Sequence, residues 1–495
     1  MEDTITTAVP SPIPVLGFPK NLMPIGGAWV PAASGGRITV LNPATEEPIA
    51  QVPDGTIGDG LAALDAAAAA QSSWAGTPAR ERADILAATY RGIIERRDEF
   101  AALIVAEMGK PWPEAQAEVD YGAGFFRWFA ESTNRLHLEG QYGLEPGGQY
   151  RIAVSKRPVG PSLLITPWNF PLAMGARKIA PALAAGCTTI LKPAELTPLT
   201  SLLLARVMEE AGVPAGVVNV ITTNNSPEVV AAIMADPRSR KVSFTGSTQV
   251  GRVLLTQAAQ NIMNTSMELG GNAPLIVFDD ADLETAVEGA MVAKLRNGGQ
   301  SCIGANRVYV QNGIAAEFTR RFTEKMAAVK IGNGTEPDTE LGPLVDTKQV
   351  LKVASLVEDA VANGARCLTG GHRPGGTGYF YPPTVLTNIP ANAQIRTEEI
   401  FGPVAAIYAF ETENEAITEA NNTPYGLASY IFTKDLARAL RVADAIDAGM
   451  TGINRGVVSN PAAPFGGTKA SGLGREGGTE GLEAYQETKY TGIQL

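Results

Sequence analysis

From Gly160 onward the chain alternates short apolar runs with stretches of helical spacing, and few folds accommodate that pattern. Leu163-Leu164-Ile165, Thr188-Thr189-Ile190-Leu191, Val217-Val218-Asn219-Val220-Ile221 and Lys241-Val242-Ser243-Phe244 read as buried strands. Helical segments such as Ser201 to Glu210 lie between them. This alternation predicts a parallel α/β sheet that binds its ligand at the carboxyl ends of the strands. A second α/β set opens at Ala273-Pro274-Leu275-Ile276-Val277-Phe278 and continues to about residue 465. Ahead of both, residues 59 to 136 read as helices. There Leu86, Tyr90, Ile93, Ile94, Phe100, Leu103 and Ile104 keep helical spacing between Arg and Glu. Tyr485 to Leu495 alternates like an edge strand.

At 495 residues the chain is long enough for two or three domains. The net charge of −11 opposes binding to nucleic acid, so an anionic ligand would need local cations. No apolar run is long enough to span a membrane. Cys187, Cys302 and Cys367 are too few and too scattered for a disulfide framework or a zinc site, and no metal is expected. A reducing cytoplasm fits this usage. Glu2 and Asp3, with no Arg before Arg37, are unlike a transit peptide. Pro10, Pro12, Pro14, Pro19 and Pro24 make residues 1–24 an expected extended arm. His372 falls in a glycine-rich turn and His137 follows a long helix, and neither is expected to be catalytic.

Two glycine-flanked segments carry the chemistry. Met267-Glu268-Leu269-Gly270-Gly271 presents a carboxylate, and Asn297-Gly298-Gly299-Gln300-Ser301-Cys302 presents a thiol. Glycines let backbone approach a ligand. A thiolate attacks an electrophilic carbon, and a nearby carboxylate handles protons or activates water. The pairing suggests covalent thioester chemistry followed by hydrolysis. Phe244-Thr245-Gly246-Ser247-Thr248 sits where a strand should run into a helix, whose free N–H groups favour phosphate.

Thr166-Pro167-Trp168-Asn169-Phe170-Pro171, Lys192-Pro193-Ala194-Glu195, Phe244 to Thr248, Glu399-Ile400-Phe401-Gly402-Pro403 and Pro464-Phe465-Gly466-Gly467 follow one another in order. From about Ile25 to the C-terminus the chain thereby resembles the aldehyde dehydrogenase superfamily. The resemblance implies an α/β fold with a variant Rossmann NAD-binding domain (25–140 and 159–269) and an α/β catalytic domain (270–466). It also implies a small β oligomerisation arm (141–158 and 467–495) that joins subunits into a homodimer or homotetramer. Cys302 matches the nucleophile and Glu268 the general base. Asn169 and the Cys302 N–H match the oxyanion donors, and Lys178 and Glu476 match a proton relay. Thr166, Pro167, Trp168, Lys192, Ala194, Glu195, Gly246, Ser247, Glu399 and Phe401 match cofactor positions. Glu195 favours NAD over NADP, because a carboxylate repels a 2′-phosphate; Lys192 could tolerate NADP. Thr223-Asn224-Asn225 departs from relatives that carry glycine there.

Within that family the chain resembles the branch that acts on succinate semialdehyde. Arg177, Arg296 and Ser459 match the residues that clamp the substrate carboxylate, where two guanidinium groups can fork onto one acid. Glu268 implies a free-acid product rather than transfer to coenzyme A. The alternative is a glutarate-semialdehyde or broad-specificity enzyme, since one methylene changes little in a loosely closed pocket.

Overall fold

The computed structural model describes residues 18–136 and 141–494. His137 and most of the expected N-terminal arm lie outside the described residues. Met23 and Pro24, expected at the end of that arm, instead pair with Val30 and Trp29 in an antiparallel hairpin, and Met23 is buried.

The predicted strands form a six-stranded sheet in the order Gly472–Leu473, Asn264–Glu268, Lys241–Thr245, Ser162–Ile165, Thr189–Lys192 and Val218–Val220. All neighbours are parallel except the short first strand. Their runs are continuously apolar because both faces are covered. Leu164 and Leu191 pack with the helices Ala173–Ala185 and Leu199–Glu210, while Leu163, Ile190 and Val242 pack with Ile233 and Leu254 on the other face.

A second sheet has seven strands, in the order Arg366–Thr369, Thr384–Thr387, Val404–Phe410, Ala305–Gln311, Ala273–Val277, Ala428–Phe432 and Met450–Ile453. Again only the first strand is antiparallel. The third sheet joins Gln141–Leu144, Tyr150–Pro158 and Gln486–Gln494, all antiparallel, with Gln494 opposite Tyr150. The strand pair and the tail expected to share an arm do lie together. No helix among the described residues is long and apolar enough to cross a membrane.

The N-terminal helices do more than pack. Glu107, on Arg97–Met108, accepts hydrogen bonds from the Leu199 and Thr200 N–H groups at 2.7 and 2.9 Å, at the start of Leu199–Glu210. Glu118, on Trp112–Leu136, accepts from the Leu172 and Ala173 N–H groups at 3.0 and 3.2 Å, at the start of Ala173–Ala185. Each acid satisfies orphan donors in a helix first turn, although burial pushes the Glu107 carboxyl up to about 8. Glu107→Leu strands both amides in a dry interior and should lower stability by about 2–4 kcal/mol. Glu107→Gln keeps one acceptor oxygen and should lose less than half of that. Urea unfolding followed by fluorescence checks both values.

Candidate active site

Strand Asn264–Glu268 ends the first sheet on a carboxylate, and only Leu269 to Asn272 separate it from Ala273–Val277 of the second. The carboxyl edge of one sheet therefore abuts the amino edge of the other. Within the first sheet, Ser162–Ile165 has Thr189–Lys192 on one side and Lys241–Thr245 on the other. That reversal of strand order is the switch point at which open α/β sheets hold ligands.

A cleft of about 200 Å³ opens there, lined by Pro167, Trp168 and Asn169 after one strand and by Thr245, Gly246 and Ser247 after the other. Ser247 caps helix Thr248–Gln260, its hydroxyl accepting from the Val250 N–H at 3.3 Å. The Gly246 N–H donates to the Glu268 carbonyl at 3.0 Å. On the far wall stand Lys352, Glu399 and Phe401. Phe401 has a left-handed backbone (φ 56°) and meets Trp168 edge-on with ring centroids 5.4 Å apart. A bulky residue in that region is strained, and such strain gathers at working sites. Burial pushes the Glu399 carboxyl up to about 7, although it accepts the Gly271 N–H at 3.1 Å. Further along the sheet edge the Thr166 N–H donates to the Lys192 carbonyl at 3.1 Å, Ala194 is buried, and Lys192 Nζ lies 3.4 Å from Glu195.

Cys302 arrives on a turn built from three consecutive left-handed residues, Asn297, Gly298 and Gly299, with φ of 56°, 64° and 72°. Gly299 has no substitute here, since an added Cβ would lie 2.1 Å from the Gly402 carbonyl oxygen. Side-chain amides lock the turn to the loop that carries Asn169. Asn297 Nδ2 donates to the Asn169 carbonyl at 2.9 Å, and Asn169 Nδ2 donates to the Gln300 carbonyl at 3.1 Å. The Asn297 N–H donates to Glu114 at 2.8 Å. Burial, with Glu399 and Glu268 adding to it against the pull of Arg177, pushes the Cys302 thiol up to about 12. The resting sulfur is therefore protonated at neutral pH.

Behind the thiol lies a buried charge cluster. Glu476 pairs with both Arg177 and Lys178, the latter at 2.5 Å, and Lys178 also donates to the Ser243 hydroxyl at 3.0 Å. Burial alone would raise Glu476, but the two cations outweigh it and hold its carboxyl below the ordinary range. Glu268 has the opposite fate. Burial and the neighbouring Glu476 raise it well above the usual carboxylate range, and neither of its oxygens has a hydrogen-bond partner. A second, narrow cavity of about 10 Å³, room for about one water, lies between Cys302, Arg177, Arg296, Ser459, Tyr121 and Phe465.

Of the sequence-predicted residues, Thr166, Lys192, Ala194 and Glu195 lie along the sheet edge outside the cleft lining, and the others fall into three groups. Thr245 to Ser247, Pro167 to Asn169, Glu399 and Phe401 share the cleft with Cys302, and Arg177, Arg296 and Ser459 share the narrow cavity with it. Lys178, Glu268 and Glu476 lie among the buried groups behind. Cys187 is buried and Cys367 half-buried, both unpaired, and His372 is exposed. Sequence reasoning missed Glu114, Lys352, Asn297 and Gln300. For Asn297 and Gln300 the signal was present, since two amides in a glycine-rich turn are natural cross-links; Glu114 and Lys352 carried none.

Because the Cys302 thiol is held so high, its alkylation should follow the thiolate fraction. The rate for the free enzyme should rise close to tenfold per pH unit from about pH 7 to 9. Iodoacetamide labelling with mass mapping of the Cys302 peptide measures this; a plateau below pH 8 would contradict the assignment of a neutral resting thiol.

Comparison with known proteins completes the description. The model of the aldehyde dehydrogenase family matches residues 29–491. A succinate-semialdehyde dehydrogenase of Paenarthrobacter nicotinovorans is 53% identical over 445 residues, covering 90% of this chain and 98% of the relative. A glutarate-semialdehyde dehydrogenase of Pseudomonas aeruginosa is 48% identical, covering 94% of this chain and 96% of the relative. The crystal structure of an NADP-dependent enzyme of E. coli superposes with a TM-score of 0.94 at 46% identity, covering 97% of this chain and 98% of that one. With the fold, the ordered motifs and the family match in agreement, the chain belongs to the aldehyde dehydrogenase family.

Proposed function

We propose that this protein oxidises succinate semialdehyde to succinate with NAD(P), through a covalent intermediate on Cys302. The observation that carries the substrate reading is the narrow cavity in which Arg177, Arg296 and Ser459 surround the thiol. Arg177 is already paired with Glu476, so a neutral aldehyde would leave Arg296 as the cation of this cavity without a carboxylate to meet it. The relatives named for succinate and glutarate semialdehyde align over 90% and 94% of this chain at 53% and 48% identity, which supports the same class of substrate.

The cleft at the switch point suits a dinucleotide. It opens on a helix start, and Thr245 Oγ1 and Asn169 Oδ1 on its wall are buried without hydrogen-bond partners. In our reading Thr166, Pro167, Trp168, Lys192, Ala194, Glu195, Gly246, Ser247, Glu399 and Phe401 hold NAD(P). Glu195 supports NAD as the preferred form, while Lys192 and the NADP-dependent E. coli structure make the comparison with NADP necessary. When bound, NAD(P) would supply the hydride acceptor by which a thiohemiacetal on Cys302 becomes a thioester.

The chain's own groups do the rest. As its sulfur attacks the carbonyl carbon to form the C–S bond, Cys302 releases its proton to solvent in the open cleft that the thiol lines. The Asn169 amide and the Cys302 N–H stabilise the oxyanion. Glu268, buried and unpartnered, takes a proton from water for attack on the thioester. It must ionise to do so, and its raised proton affinity makes the hydrolytic step faster as pH rises. Lys178 and Glu476 carry the proton onward through the buried ion pair.

We infer the domain division anticipated from the resemblance, with residues 25–140 and 159–269 serving the cofactor and 270–466 the thiol. Tyr142, Leu144, Tyr490 and Ile493 leave large apolar side chains exposed on the third sheet, which supports an oligomerisation arm covered by a second copy. The three unpaired cysteines support a reducing, cytoplasmic setting.

Steady-state kinetics with succinate semialdehyde, glutarate semialdehyde and butanal, each with NAD and NADP, test this reading. The expected order places succinate semialdehyde first and butanal last, with NAD ahead of NADP. Arg296→Ala should raise KM for succinate semialdehyde about 10- to 100-fold through loss of charge-assisted hydrogen bonds, and change butanal kinetics by less than about threefold. Equal rates with butanal in the parent enzyme would remove the carboxylate from the account.

A further inference from the structure

The two arginines of the narrow cavity are held in different ways. Arg177 is fully buried, paired with Glu476, and has its guanidinium 4.1 Å from the centroid of the Phe465 ring. Arg296 is half-buried and forms no ion pair with any carboxylate among the described residues. Its guanidinium instead lies 5.0 Å from the centroid of the Phe170 ring and 5.8 Å from that of Tyr121. Glu114, the acid near it, is committed to the Asn297 N–H at 2.8 Å, and burial raises its carboxyl above the ordinary range.

We propose that Tyr121 and Phe170 are specificity-determining residues, holding Arg296 by their ring faces where a carboxylate would otherwise hold it. This inference rests on the semialdehyde reading above and deepens it. A carboxylate partner would neutralise the guanidinium and occupy its N–H donors. An aromatic face attracts the same cation through its quadrupole and leaves those donors free. Arg296 then offers an uncommitted fork to the substrate's acid group, whereas Arg177 already shares its charge with Glu476. Arg296 is accordingly the stronger discriminator of the two.

The rings are themselves fixed. Lys110 Nζ sits 3.6 Å from the centroid of the Phe170 ring and pairs with Glu118, both fully buried. Glu118 also binds the Leu172 and Ala173 N–H groups, so this anchor is tied to the helix that carries Arg177. Tyr121 packs edge-on against Phe125 at 5.0 Å.

The test is the ratio of kcat/KM for succinate semialdehyde to that for butanal in the intact enzyme. Tyr121→Leu and Phe170→Leu keep apolar bulk but remove the ring, and each should lower the ratio about tenfold, through KM for the semialdehyde. Tyr121→Phe keeps the ring face and should stay within about twofold of the parent. In an Arg296→Ala background the leucine substitutions should have no further effect on the ratio, a result that general loosening of the pocket would not give. Leucine variants that retain the parent ratio, or that lower it as much without Arg296 as with it, would overturn the inference alone. A parent ratio near one would overturn the semialdehyde reading and this inference with it.

Discussion

Everything in the site depends on how closely two backbones approach one another. Gly271, on the crossing between the sheets, leaves no room for a side chain, since a Cβ there would lie 2.4 Å from the Cys302 carbonyl oxygen. That contact brings the end of one sheet, with Glu268, against the turn that delivers the thiol. The Glu399 carboxylate holds the crossing through the Gly271 N–H, and the Asn169, Asn297 and Gln300 amides hold the turn from the other side. The thiol is thus fixed by hydrogen-bonded backbone on both flanks rather than carried on a free loop.

The electrostatics follow from that burial. Two acids in one dry region cannot both ionise cheaply. Glu476 takes the charge because Arg177 and Lys178 flank it, and Glu268 holds its proton more tightly than an ordinary carboxylate. The thiol and Glu268 are both held towards their neutral forms, so the two cations Arg177 and Lys178 are met by Glu476 alone. Arg296 stands apart from this cluster, a cation held on aromatic faces and open to an incoming acid. The asymmetry between the arginines is a consequence of which one Glu476 can reach.

Much of this was legible in the sequence, for identifiable reasons. The strands of the first sheet were readable because burial on both faces makes them short and apolar, and the position of Gly246-Ser247 followed from a strand running into a helix. The order of the motifs brought Cys302, Glu268 and Asn169 together on the page before the fold did. The buried acids Glu107 and Glu118 and the half-buried Glu114 were not legible. They lie on helices whose charged residues read as a solvated face, and their partners are backbone amides 54 to 183 residues away in sequence, which no local pattern announces. The role of Arg177 was only half visible, because its pairing with Glu476 joins positions about 300 residues apart in sequence. The hairpin at Met23 was hidden by the neighbouring prolines, which suggested an extended arm.

The site divides its labour, with Cys302 carrying the acyl group and Glu268 releasing it. This division is tested most directly by mass spectrometry of Glu268→Gln quenched after mixing with succinate semialdehyde and NAD. The expected result is one equivalent of NADH per active site, then a stall, with a single succinyl group on the Cys302 peptide. Continuous turnover at the parent rate, or a succinyl group on any other residue, would contradict it.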